Sequence, residues 1–223
     1  MPQAVGLDVY GTLVDPLQMD EHLGPLAGEK AGELAALWRQ KQLEYAFRRG
    51  LMRRYEDFGV CTRQALQFAT RALGVELPEP ERRRLLEAYG SLPPFPDAAP
   101  ALSALKERGH RLWAFSNGLE SAAQGLLANA GLLEHLEGVV SVDDLRTFKP
   151  APEVYLYLAR RLERRPEEVW LVSGNPFDVI GAKAAGLKAA WVRRDPAAVF
   201  DPWGIEPDVT VPDLAGLAGE LPA

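Results

Sequence analysis

The sequence predicts an α/β protein, a doubly wound parallel sheet with a helical block inserted after its first strand. Three observations carry this. An apolar run at residues 4–7 ends in Asp8, with Gly11 and Thr12 close behind. From residue 97 onward, short apolar runs alternate with helical stretches. Between these regions, residues 16–96 carry helical patterning and no clear strand.

The run at 4–7 reads as a strand buried on both faces. Gly11 suits the sharp turn that follows. Ligands of open parallel sheets bind beyond the carboxyl ends of the strands, so Asp8 is a carboxylate aimed at a site. Taken alone it also fits a turn or capping residue. Residues 28–49 read as a long helix. Leu34, Leu37, Trp38 and Tyr45 form a broad apolar face, interrupted by Arg39, Gln40, Lys41 and Gln42. A short helix is expected over 53–58. A third starts at Thr62 as its N-cap and carries Ala65, Leu66, Ala69 and Leu73 inward. Pro78 and Pro80 break it, 81–89 resumes, and the prolines of 93–96 make a stiff connector.

Strand and helix then alternate. A helix over 99–108 is stopped by Gly109. A strand over 111–115 ends in Ser116-Asn117-Gly118. A helix over 121–130 is ended by Gly131, and a short strand covers 138–142. A loop carries Lys149, and a helix over 152–163 has proline in its first turn. A strand over 169–172 runs into Ser173-Gly174-Asn175 and on to Asp178. A small-residue helix ends at Gly186, and strands at 189–192 and 208–211 complete the pattern. Residues 1–15 and 97–223 thus form the core domain. Residues 16–96 form a cap domain above the carboxyl edge of its sheet.

The 223 residues suit one large domain or two small ones, and 47% hydrophobic content allows a real core. No apolar run approaches the roughly 20 residues that span a bilayer. The first strand begins almost at once, which leaves no room for a signal peptide. Cys61 is the only cysteine. An intrachain disulfide is excluded and a cytoplasmic location expected. The thiol reads as a small buried group rather than a nucleophile. A net charge of −6 without a long basic run argues against nucleic acid as a partner. Richness in Arg, Glu, Leu, Ala and Pro leans towards surface ion pairs and stiffened loops. His22, His110 and His135 read as surface residues and have no metal-ligand spacing.

Four polar clusters fall at strand or loop ends: Asp8 with Thr12; Ser116 with Asn117; Lys149; and Ser173 with Asn175 and Asp178. Converging on one edge, they would bury a costly amount of polarity without a function. The clusters resemble the four motifs of the haloacid dehalogenase superfamily, which has a Rossmann-like core, a nucleophilic aspartate after the first strand and often a helical cap. Most members are magnesium-dependent phosphatases. Two positions depart from that pattern. The second aspartate of phosphatases, the acid for a leaving alcohol, is replaced by Tyr10. A halide needs no proton to leave. The Gly-Asp pair that helps hold magnesium is replaced by Gly174 and Asn175, so a hard anionic ligand is lost. Both changes point to a metal-free site, with no cofactor.

The resemblance narrows to the L-2-haloacid, or (S)-2-haloacid, dehalogenases. Asp8, Tyr10-Gly11-Thr12, Ser116-Asn117-Gly118, Lys149-Pro150, Tyr155, Ser173, Asn175 and Asp178 match their pattern. The stretch 37–45 is very similar to their cap helix, as is Arg53-Arg54-Tyr55 with Phe58. Phe177 stands where relatives often have Trp. Gly174 stands where they can have Ser, which is expected to loosen that loop. The resemblance implies dehalogenation of a small 2-haloalkanoic acid with inversion at the α-carbon, through an ester on Asp8. It implies Lys149 as counter-charge to Asp8 and Asp178, Asp178 as the orienter of water, and Thr12 and Ser173 as supports. Ser116 and Asn117 would bind the substrate carboxylate, and Arg39 the departing halide. Tyr10, Gln40, Leu43, Phe58 and Phe177 would line the pocket, with Tyr155 at the site or packing its helix. A homodimer through the cap helices is implied too. A magnesium-dependent phosphatase and a non-catalytic binding protein are the rivals; Tyr10 and Asn175 speak against the first, and retention of Asp8, Lys149 and Asp178 against the second.

Overall fold

The structure, a computed structural model, describes residues 2–222. Its strands are β1 (Ala4–Asp8), β2 (Arg111–Ser116), β3 (Gly138–Ser141), β4 (Val169–Ser173), β5 (Lys188–Val192) and β6 (Val209–Val211). They form one sheet in the order β3-β2-β1-β4-β5-β6. Every pairing is parallel. From β1 the chain builds outward through β2 to β3, then returns to the other side for β4. The order reverses beside β1, and such a switch point leaves a crevice beyond the strand ends. Asp8 ends β1 and Ser173 ends β4, so both stand at that crevice.

Alternate strand residues feed two cores, as a two-residue side-chain period requires. Val5, Leu7, Leu112, Ala114, Trp170 and Val172 join one cluster. Ala4, Trp113, Phe115, Val169 and Leu171 join the other. Helices α5 (Ala98–Glu107), α6 (Glu120–Asn129) and α9 (Leu214–Glu220) bury residues in the first cluster. Helices α7 (Pro152–Arg161) and α8 (Pro176–Ala184) bury theirs in the second. Gly6 keeps β1 close to α7: a Cβ there would lie 2.7 Å from Leu158 Cδ2.

Between β1 and β2 lie α1 (Asp20–Ala27), α2 (Ala31–Leu51), α3 (Phe58–Leu73) and α4 (Glu79–Tyr89). Among the described residues this stretch holds no strand. Helix α1 escapes the sequence pattern because it is short and holds Gly24 and Pro25. Residues 53–57 are not helical. Arg53 has a φ of 54°, which ends the helical path. The cap of α3 is Asp57, whose carboxylate accepts from Val60 N at 3.0 Å. Thr62 is one turn inside that helix and donates to the Phe58 carbonyl, so it is no N-cap. Pro80 does not break α4, because its first turn needs no N–H there. His110 corrects the surface reading. It is buried, its Nδ1 accepts from Gln3 N at 3.0 Å, and burial lowers its pKa.

Gly174 also departs from expectation: it tightens its loop. A Cβ there would sit 2.2 Å from the Gly11 carbonyl oxygen. Gly174 N donates to Thr12 Oγ1 at 2.8 Å. The β1 and β4 loops therefore touch backbone to backbone. Gly174→Ala is expected to destabilise the protein by about 1–3 kcal/mol through overpacking, read by denaturant unfolding. An unchanged midpoint would show that the two loops separate freely.

Candidate active site

Lys149 sits at the centre of the crevice and is 1% exposed. Its ammonium has three N–H donors and uses all of them. Nζ reaches Asp8 Oδ1, Asp178 Oδ2 and the Phe115 carbonyl, each at 2.9 Å. It also lies 4.2 Å from the centroid of the Phe115 ring. Burial alone would lower the lysine pKa, but the charges of Asp178 and Asp8 outweigh it and raise it. Asp178 is wholly buried. Burial pushes its carboxyl up, Lys149 pulls it back, and the charge of Asp8 adds to the rise. Tyr155 donates its hydroxyl to Asp178 Oδ1 at 2.8 Å. The ring of Tyr155 fits because α8 has Gly181 there; a Cβ would lie 2.5 Å from the tyrosine oxygen.

The two oxygens of Asp8 differ. Oδ1 accepts from Lys149. Oδ2 accepts from Thr12 Oγ1 at 2.9 Å, Ser173 Oγ at 3.2 Å and Asn175 Nδ2 at 2.7 Å. Asn175 Nδ2 also donates to the Tyr10 carbonyl at 3.0 Å. At the end of β2, Asn117 Oδ1 accepts from Lys149 N at 3.0 Å. Ser116 Oγ accepts from Gly118 N, also at 3.0 Å, which leaves the hydroxyl proton for another acceptor.

Helix α2 brings Arg39 to the same edge. Its Nη2 donates to the Tyr10 carbonyl at 3.2 Å and its Nη1 to Gln42 Oε1 at 2.7 Å. Tyr10 lies between Phe58 and Tyr89, with centroids 5.8 and 5.6 Å away. Burial raises the pKa of its phenol, so Tyr10 is a poor acid at neutral pH. Phe177 is half-buried and meets Phe47 of α2 edge-on at 5.0 Å. Leu43, one helical turn after Arg39, is half-buried. Gln40 is not brought in: it is exposed, since one residue turns it about 100° from Arg39. Cys61 is buried, and burial pushes its thiol up to about 11, which removes it as a rival nucleophile.

Sequence reading missed three contributors. Gln42 and Tyr89 form the seat of Arg39. Arg194, just after β5, donates to the Thr12 carbonyl at 2.6 Å and to Asp97 at 2.9 Å, clamping the β1 loop. Its place at a strand's carboxyl end was the available signal.

The donor set does not fit magnesium. Asp8 and Asp178 share an ammonium where a cation would lie. Asn175 turns its NH2 group towards Asp8, and amide nitrogen is no ligand for a hard cation. Among the described residues no group of three or more His, Cys, Asp or Glu side chains could hold a metal ion.

A buried aspartate at the end of β1, a lysine bridging it to a second carboxylate and an α/β core with this strand order define a class. The chain belongs to the haloacid dehalogenase-like hydrolase family, whose model matches residues 2–186. Within it, the chain is 41% identical to an (S)-2-haloacid dehalogenase of Xanthobacter autotrophicus, over 87% of this chain and 76% of that one. It is 38% identical to haloacetate dehalogenase H-2 of Moraxella sp. (strain B), over 94% and 93%. The structure of the Xanthobacter autotrophicus L-2-haloacid dehalogenase with chloropropionic acid covalently bound superposes with a TM-score of 0.90, at 36% identity and 98% coverage of both chains.

Lys149 anchors the site energetically, and its removal reveals the cost of the two carboxylates. Lys149→Met is expected to lose about 3–5 kcal/mol at neutral pH, since breaking a buried pair strands its partners. Without the lysine, the carboxyl of Asp178 rises further in the folded state. A group whose folded pKa is raised binds its proton more tightly when folded, so stability returns as pH falls. The deficit against wild type should therefore be smaller at pH 5 than at pH 8 in urea unfolding. In the wild type the raised Lys149 pKa contributes fully below the ordinary lysine value and is lost only as pH climbs through the raised one. An equal deficit at both pH values would contradict this assignment.

Proposed function

We propose that the chain is an (S)-2-haloacid dehalogenase that converts L-2-haloalkanoic acids to D-2-hydroxy acids without a metal. The observation that carries the mechanism is the unequal loading of Asp8, with one donor on Oδ1 and three on Oδ2. Oδ1 keeps the freer lone pairs and attacks the α-carbon in line. The carbon–halogen bond breaks as the carbon–oxygen bond forms, and halide leaves with the electron pair. Inversion follows from that single displacement. The residue is then an ester on Asp8, with Oδ2 as its carbonyl oxygen. Water attacks that carbonyl carbon, and the negative charge develops on Oδ2. Thr12, Ser173 and Asn175 already aim three donors at it, as an oxyanion hole would. Asp178, raised by burial, is suited to take the water's proton. Collapse breaks the bond from the carboxyl carbon to Oδ1. Asp178 returns its proton to the departing alkoxide, which leaves as the hydroxy acid with Oδ1. Asp8 loses the remaining water proton to solvent and is a carboxylate again.

Ser116 and the Asn117 backbone amide bind the substrate carboxylate, at a strand end followed by a helix start. Arg39 receives the halide: a guanidinium stays charged and sheds water readily. Tyr10, Leu43, Phe58 and Phe177 supply apolar walls, which favour a desolvated carboxylate nucleophile. Tyr155 orients Asp178. Residues 16–96 act as the cap over a core of 1–15 and 97–223, closing the crevice against water. The rival phosphatase reading loses its leaving-group acid at Tyr10 and its cation ligand at Asn175. Leu51, Met52 and Phe68 are exposed on α2, at its end and on α3, which supports a homodimer formed through these helices. Among the described residues no helix is long and apolar enough to cross a membrane, and the lone buried cysteine accords with a cytoplasmic enzyme.

The reading is tested by halide release from L- and D-2-chloropropionate with chelator present, beside phosphate release with magnesium. Halide from the L form alone, undiminished by chelator, is expected; phosphate release without halide would overturn it. Asp8→Asn should abolish turnover and keep the native fold by circular dichroism, at a lower unfolding midpoint because Lys149 then has Asp178 as its charged partner and no longer Asp8. Retained turnover would remove Asp8 from the nucleophile's place.

A further inference from the structure

Helix α2 buries Leu34, Ala35, Trp38, Gln42 and Ala46. In the middle of this apolar stripe stands one amide, wholly buried. Such a group is costly unless its hydrogen bonds are made. Gln42 makes them. Its Oε1 accepts from Arg39 Nη1 at 2.7 Å and from the Tyr89 hydroxyl at 2.8 Å, filling both lone pairs. Its Nε2 donates to Thr62 Oγ1 at 2.6 Å, and Thr62 donates onward to the Phe58 carbonyl at 2.8 Å. The oxygen facing Arg39 is thus pinned from α3 and α4.

We infer that Gln42 is the positioning residue of Arg39: it holds the guanidinium over the Tyr10 carbonyl with a neutral acceptor, leaving its charge for the departing halide. This rests on the reading of Arg39 as the halide's partner. A guanidinium has five N–H donors. Gln42 and the Tyr10 carbonyl take one each, both as uncharged acceptors. The Tyr89 side chain that also meets the guanidinium is neutral, so the positive charge stays available to an anion. A carboxylate at position 42 would hold the same geometry, but it would cancel that charge. An apolar residue would leave Arg39, Tyr89 and Thr62 without their partner. The same Tyr10 carbonyl accepts from Asn175, which donates to Asp8. Gln42 therefore fixes the halide's partner relative to the nucleophile, as an in-line displacement requires.

The test separates positioning from folding by the leaving group. The first-turnover rates of halide release are measured by rapid quench for L-2-chloropropionate and L-2-iodopropionate. Chloride, the poorer leaving group, depends more on stabilisation of the departing anion. Gln42→Met is expected to slow chloride release by about tenfold to a hundredfold, the usual cost of a misplacement near 1 Å. Iodide release should slow by a smaller factor, so the iodide-to-chloride rate ratio rises. Gln42→Glu should also slow chloride release; wild-type rates there would overturn the argument from neutrality. Ala69→Gly loosens the same helix α3 two turns beyond Thr62 and takes part in none of the bonds to Gln42. It should lower the melting temperature while leaving the ratio near wild type, whereas a raised ratio in Ala69→Gly would mean that general loosening produces the effect. An unchanged ratio in Gln42→Met would overturn the inference. Arg39→Met is the reference: if it raises the ratio and Gln42→Met does not, only the role of Gln42 falls. If Arg39→Met leaves the ratio unchanged, the halide role of Arg39 falls, and that of Gln42 with it.

Discussion

The ammonium of Lys149, out of water and between two carboxylates, is the constraint on which the rest of the site depends. Three negative or partly negative oxygens meet it, from β1, from the start of α8 and from the end of β2. Remove it and two like charges face each other in a dry crevice, where one must take a proton. With it, each of the two carboxylates has a counter-charge at hydrogen-bond distance although both are buried. A carboxylate is a weak nucleophile when hydrated, so burial and counter-charge have to come together. The lysine also ties the strands at the switch point, since its own backbone N–H donates to Asn117.

A second junction links the insertion to the core. The carbonyl of Tyr10 accepts from Arg39 of α2 and from Asn175 at the start of α8. Through Asn175 the path reaches Asp8; through Arg39 and Gln42 it reaches α3 and α4. The aromatic contacts of Tyr10 with Phe58 and Tyr89 surround this junction with apolar surface. Hydrogen bonds in such surroundings are electrostatically stronger than in water. Loss of any one of them would be felt at both ends. The backbone contact of Gly174 with Gly11 serves the same registry from beneath, because no side chain separates the two loops.

Much of this was legible in the amino-acid sequence. A buried parallel strand announces itself by a run of apolar residues, and a site by the polar residues at its end. Asp8, Ser116, Asn117, Lys149, Ser173, Asn175 and Asp178 were readable in that way, because each stands where an apolar run or a motif stops. The order of alternating strands and helices made a doubly wound sheet the expected outcome. Helix boundaries were less legible around 53–62, where Asp57 caps and a left-handed Arg53 ends the previous helix. Local propensity does not distinguish these from neighbouring polar residues.

What the linear chain left open concerns rotation and partnership. Gln40 and Gln42 are alike in composition and two residues apart. Only the helix's angular step and the packing of α2 on α3 expose one and bury the other. His110 is buried through contact with a backbone amide over a hundred residues away, which no local pattern encodes. Arg194 is an ordinary loop arginine until β5 delivers it to the Thr12 carbonyl. Sequence by itself determined which chemical groups the protein carries and which strand ends present them. Tertiary structure alone decided which oxygens of Asp8 are loaded, which amide seats Arg39 and which glycine lets two loops touch. Those are properties of distance and direction, set only when elements far apart in the chain are packed together.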